Sequence, residues 1–124
     1  MRNEDYRKQL ISRAYRYSLN IIKFIDGLDK KDFTVQIIAR QLLRSATSIG
    51  ANIIEAQAAS SKRDFLNFLH YALKSANESK FWLGLLRDSG KAEKNTVSPL
   101  LQETNELASI LGSSILTLKG RKKL

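Results

Sequence analysis

At 124 residues, 43% of them hydrophobic and 27% charged, the chain has room for one domain, and a chain of that size buries a sufficient core without covalent staples. Its lack of cysteine excludes a disulfide scaffold, a thiolate metal site and a cysteine nucleophile, and fits a reducing, cytoplasmic setting. The formal charge of +9 and the pI near 10.0 favour polyanionic partners through an attraction that does not depend on sequence, nucleic acid first among them.

Six glycines and one proline leave little punctuation, and no run of alternating β-branched residues stands between turn signals, so helices carry the fold. The first spans about Asp5 to Leu28. It places Leu10, Ala14, Tyr17, Ile21, Phe24 and Leu28 on one apolar stripe, and Gly27 is placed to end it in a left-handed cap. A second, capped by Asp32 or Thr34, runs to about Ala59 through Ile38, Leu42, Ile49, Ile53 and Ala56. Ser45, Ala46, Ser48, Gly50 and Ala51 make its surface small. Gly50 inside a helix costs about 1 kcal/mol relative to alanine, which tight packing would offset.

The third helix opens on the capping-box-like Ser61-Lys62-Arg63-Asp64, turns Phe65, Phe68, Leu69, Ala72, Ala76, Leu83 and Leu86 inward, and stops near Ser89 and Gly90. Ser98-Pro99 reads as the cap and first turn of the fourth, which continues through Leu100, Thr104, Leu107, Leu111, Ile115 and Leu118. Short connections make each helix antiparallel to the next. The predicted fold is therefore all-α, an antiparallel up-down-up-down four-helix bundle over residues 1–118, followed by a basic C-terminal tail at 119–124.

Charge is unevenly spread. Residues 1–31 hold eight basic and four acidic groups, and the tail holds four basic and no acidic ones. No carboxylate stands between Asp5 and Asp26, where Arg13, Arg16, Asn20 and Lys23 recur at helical spacing, with Arg2 and Gln9 extending the line. A solvating face mixes both signs, so a one-sign stripe points to a polyanion. The nucleic-acid-binding set expected from sequence is Arg2, Arg13, Arg16, Lys23, Lys119, Arg121, Lys122 and Lys123. The tail is expected at the bundle end where the first helix finishes, beside Lys23, Lys30 and Lys31.

No catalytic or metal constellation is legible. The lone histidine, His70, follows Asn67 rather than a glutamate three residues earlier, so a di-iron Glu-x-x-His site cannot be built. No strained nucleophile turn accompanies it and no phosphate-cradling glycine loop exists. Glu103 and Glu106 read as dipole and solubility features near a helix start. No catalytic residue, metal or cofactor is expected. The amino terminus lacks the apolar core of a signal peptide, and no apolar run approaches the ~20 residues needed to cross a bilayer. Tyr15, Tyr17, Phe81 and Trp82 have the chemistry to stack bases, but core or subunit packing suits them better. Phe81 and Trp82 are adjacent, so one must leave the inner seam, which suggests an oligomer interface. Arg44, Ser48, Asn52 and Glu55 form a polar line at helical spacing that needs partners in neighbouring helices or subunits.

Arg44-Ser45-Ala46, Ser48-Ile49, Asn52-Ile53 with Glu55, and Ser61-Lys62 followed by Phe65, Phe68 and Leu69 resemble a bacterial family of four-helix-bundle proteins. These were first noticed as products of intervening sequences in large-subunit ribosomal RNA genes, and the family includes the accessory variability determinant proteins of diversity-generating retroelements. The resemblance is close over the second and third helices and covers the whole chain in outline. Gly50 and Ala56 stand where the family often has proline and glycine. The resemblance implies an up-down bundle that assembles as a homopentamer without enzymatic activity. In retroelement members it implies binding of nucleic acid and of a partner reverse transcriptase, and the leading expectation for this chain is a scaffold for RNA or an RNA/DNA hybrid. The competing expectation is a protein-interaction module whose basic face steers an acidic protein partner.

Overall fold

The computed structural model describes Asn3–Lys123, with side chains over 4–120. Four helices follow one another: α1 (Asn3–Asp26), α2 (Phe33–Gln57), α3 (Lys62–Asp88) and α4 (Lys94–Lys123). Each packs against its chain neighbours, α1 closes against α4, and only side chains reach across the diagonals, as where Arg7 of α1 lies over the Phe65 ring of α3. This is the expected antiparallel ring.

Local chemistry sets the helix ends. Asp32 caps α2, its Oδ1 accepting from the Val35 amide at 3.0 Å. Its Oδ2 accepts from Lys91 Nζ at 2.6 Å, so the same side chain ties the α3–α4 turn to the start of α2. Ser61 caps α3 by accepting from the Asp64 amide, while Asp64 accepts from the Ser60 amide, a reciprocal box displaced by one residue. Gly90 ends α3 at φ +76, and the Lys91 and Ala92 amides both return to the Leu86 carbonyl.

Two helix ends differ from the sequence expectation. α1 closes at Asp26, through bonds from the Gly27 amide to Phe24 O and from the Leu28 amide to Ile25 O. These three-residue bonds satisfy the terminal carbonyls, and Gly27 does not take the left-handed conformation. α4 begins a turn early, at Lys94, because Val97 is wholly buried and its amide bonds Glu93 O, drawing that segment into the helix. Ser98 is therefore no cap. Its hydroxyl donates back to Lys94 O at 2.8 Å, and Pro99 lies exposed inside the helix, giving up one backbone donor.

The core holds Tyr17 and Ile21 from α1, Leu42, Ile49 and Ile53 from α2, Leu83 and Leu86 from α3, and Leu107 and Leu111 from α4. Phe65 and Phe68, expected inward, are only half-buried, and Leu66 takes an inner position instead. α2 and α3 make the most extensive seam, since Ser45, Ala46, Ala72, Ala76 and Ser79 let their backbones approach. Hydroxyls stitch it: Ser45 and Ser79 share a hydrogen bond of 2.8 Å, Ser79 donates to Ser75 O, and Ser75 donates to Ser48 at 3.0 Å. No described buried side-chain polar atom lacks a partner.

α1 and α4 share the thinnest seam, and long side chains bridge it. Tyr17, 1% exposed, exchanges a 2.6 Å hydrogen bond with Thr104. Its burial pushes the phenol up to about 12, against the lowering effect of the Thr104 hydrogen bond and the nearby Ser79 hydroxyl. A Cβ at Gly50 would meet Ala14 Cβ of α1 at 3.5 Å, ordinary contact. Close packing therefore does not demand the glycine there, contrary to the sequence expectation.

Candidate nucleic-acid interface

The basic stripe of α1 divides in the folded chain. Arg16 and Lys23 are exposed, with Asn20 exposed between them. Neither cation forms an ion pair with a described residue. Residues seven apart return to one helical face, so these two stand about 10 Å apart along the axis, an arrangement suited to two phosphates of one strand.

Arg13 departs from that set. Its Nε donates to Glu103 Oε2, and its Nη2 donates to Glu103 Oε1 and Glu106 Oε1, each at 2.7 Å. The two carboxylates hold the guanidinium pKa above its already high ordinary value, so it stays charged at any accessible pH. Arg13 is thus engaged within the bundle, unlike Arg16 and Lys23, and Glu103 and Glu106, read from sequence as dipole and solubility features, clasp α1 to α4. α1 carries no acid beside Arg13, but the register of the bundle sets two α4 carboxylates against it. A groove along α4, lined in part by Arg13, Arg87, Gln102, Asn105 and Ser109, offers no free cation either. Arg87 is paired with Asp88 at 2.8 Å.

The tail also lies elsewhere than expected. With an even number of antiparallel helices, α4 finishes where α1 starts: Thr117 and Leu118 line one cleft with Tyr6 and Arg7. Lys119, exposed, follows directly. Lys23 lies about 24 Å farther along α1 from Arg7, and Lys30 and Lys31 are at that far end too. The side chains of Arg121, Lys122 and Lys123, and Arg2 altogether, lie outside the described residues, although α4 continues through Lys123.

The polar line on α2 faces the α3 seam only in part. Asn52 Nδ2 donates to Ser48 O and Oγ, both at 2.9 Å, and Ser48 in turn accepts from Ser75. Arg44 and Glu55 are exposed and pair with no described residue. The serines that complete this network, Ser75 and Ser79, carried a sequence signal in their four-residue spacing opposite Ser45 and Ser48.

Phe81 projects outward, 58% exposed, with its ring centroid 5.0 Å from that of half-buried Trp82. Trp82 Nε1 donates to Glu78 on its own helix. Tyr15, Leu19 and Ile22 form a second exposed apolar strip on α1, and Phe33 is 78% exposed. Tyr17, by contrast, is core. Among the described residues no group of three or more His, Asp or Glu gathers to hold a metal ion, and no described helix is long and apolar enough to cross a membrane.

The family model described as 23S rRNA-intervening sequence protein matches residues 7–113. Among solved structures, the chain is similar to a protein of unknown function from the S23 ribosomal protein family of Bacteroides thetaiotaomicron VPI-5482. Identity is 34% and the TM-score 0.80, over 86% of this chain and 97% of that one. No curated protein matches.

Proposed function

Since the chain belongs to the 23S rRNA-intervening sequence protein family, we propose that it is a non-enzymatic, self-assembling basic scaffold that binds nucleic acid, RNA or an RNA/DNA hybrid, through backbone phosphates. The observation that carries this reading is the exposed, carboxylate-free pair Arg16 and Lys23 on a chain of net charge +9. Lys119 stands exposed at the opposite end of the bundle, and the sequence after it adds three more basic residues. Copies assembled in a ring, five by the family resemblance, would repeat both groups, so that modest contacts in each subunit combine by avidity. A reverse transcriptase is the protein partner in the retroelement form of this proposal.

Titrating labelled structured RNA, duplex DNA and RNA/DNA hybrid across a salt series tests it. Each phosphate contact contributes a slope of about −0.9 in log affinity against log salt on duplex DNA, and about −0.7 on single strands. Arg16→Glu with Lys23→Glu should weaken binding about equally for all sequences and flatten the slope, while Arg13→Ala should leave the slope unchanged. Absence of binding at low salt in an assembled, folded protein would defeat the reading.

The exposed apolar strip Tyr15, Leu19 and Ile22, together with Phe81, favours a second role in protein contact. Such groups, when they lie outside a bundle, mark interaction surfaces. In this alternative the positive charge steers an acidic protein, and nuclease treatment leaves the complex intact.

A further inference from the structure

We propose that the cleft at the end of the bundle where α1 begins and α4 finishes is a binding site for a small amphiphilic carboxylate, a single acidic head on an apolar tail. All four helices contribute to the cleft, whose volume is about 360 Å³. That is near the lower bound for sites that take small organic ligands and far beyond the water-sized voids of a packed core. The thin α1–α4 seam explains its presence. Tyr17 and Arg13 bridge the two helices at mid-length, whereas toward this end the facing residues are Ser113, Ser114 and Thr117, too short to fill the space.

Floor and rim differ in chemistry. Buried Ile53 and Leu69 and half-buried Leu10, Phe65 and Leu118 make the floor apolar. Ser113, Thr117 and Gln57 bring hydrogen-bonding groups to the rim. Among the described residues the only charged one lining the cleft is Arg7, whose guanidinium lies 5.7 Å from the Phe65 ring centroid. Stacking of this kind fixes a planar cation at the border of apolar surface and water while its N–H fork stays available. Arg7 forms no ion pair with a described residue. A smaller adjoining recess shares Arg7 and Phe65, adds Lys62, and is likewise lined by no carboxylate. The apolar floor rewards a tail that displaces water, and the lone fork matches a carboxylate head. No carboxylate among the described lining residues offers a cation a partner, and the sugar and base of a nucleotide are too polar for the floor. The site is independent of Arg16 and Lys23, so its failure and the failure of the scaffold reading are separable.

Amide shifts of the isotope-labelled full chain, recorded with decanoate below its micelle concentration, test the proposal. Decanol supplies the tail without the head, and acetate the head without the tail. The expected result is saturable shifts confined to the lining residues with decanoate, at least tenfold weaker binding of decanol, and none of acetate. Arg7→Gln should bring decanoate down to the affinity of decanol. Thr117→Phe, a change at an exposed rim position that leaves the core untouched, should abolish binding of both, with folding of each variant verified by its thermal melt. Absence of saturable shifts, equal affinity for decanoate and decanol, or binding undiminished in folded Thr117→Phe would overturn the proposal. So would shifts that accompany a change in oligomeric size, since the cleft would then be a contact between copies.

Discussion

Replacing Arg13 with alanine removes three contacts of 2.7 Å between α1 and α4 at once. The guanidinium side chain is 33% exposed and the Glu103 side chain 28%, so solvent weakens the pair without cancelling it. A surface ion pair is worth roughly 0.2–1 kcal/mol, and the two-pronged grip on Glu103 places this one at the upper end. Once the cation is gone, Glu103 and Glu106 face each other three residues apart on one helix, at a further cost of a few tenths of a kcal/mol. The expected loss is therefore about 1 kcal/mol, or about 4 °C in melting temperature for a chain of this length. Urea unfolding of Arg13→Ala, Glu103→Gln and the double variant isolates the coupling, expected at roughly 0.5–1 kcal/mol in low salt and smaller in 0.5 M salt. A coupling within about 0.2 kcal/mol of zero, or one indifferent to salt, would refute the assignment. So would an Arg13→Ala protein of unchanged stability whose nucleic-acid affinity falls as far as that of Arg16→Ala, because Arg13 would then belong to the binding face.

The remaining expectations concern the seam, the α2 interior and the α2 cap. The Tyr17 phenol is pushed up to about 12 by burial. Its stabilising effect is complete below the unfolded value near 10 and declines by about 1.4 kcal/mol per pH unit between there and 12. Alkaline unfolding followed by circular dichroism should show that limb, and Tyr17→Phe should flatten it while costing about 1 kcal/mol at neutral pH. Gly50→Ala should stabilise the fold by about 0.5–1 kcal/mol in urea unfolding, since the added methyl meets Ala14 at an ordinary distance; destabilisation would show that α1 and α2 lie closer in solution. Lys91 first, and the Val35 amide second, hold the Asp32 carboxyl below its ordinary value. Its contribution is thus present at neutral pH and lost as pH falls through the folded value. Asp32→Asn should shorten the acid limb of the stability profile and leave the alkaline limb alone.

Sequence by itself determined the parts of this protein that depend on period and on local chemistry. Apolar residues at steps of three and four mark the inner face of each helix, because helical geometry alone brings them to one side. The Ser61 cap and the Gly90 stop follow from a side chain that bonds the backbone within three residues and from glycine's tolerance of positive φ, whereas of the two caps the sequence offers α2, Asp32 and Thr34, the fold uses Asp32. Antiparallel order follows from the short connections. Where a local signal competed with burial, burial prevailed: Ser98-Pro99 has the chemistry of a cap, yet Val97 had a core position to fill and carried the helix past it.

Tertiary structure decided everything that depends on register between helices. Whether Arg13 is a free cation or a clasp between helices turns on which residues of α4 stand opposite it, some ninety positions away, and no periodicity within α1 carries that information. The same is true of the terminal cleft, which exists because serine and threonine on α4 face α1 where bulkier residues would have closed the seam. The place of the basic tail, by contrast, follows from the parity of four antiparallel helices, and so was legible in the sequence once the helices were counted. Pattern along one helix fixes which side faces inward, whereas pairing between helices fixes which charges remain for a partner.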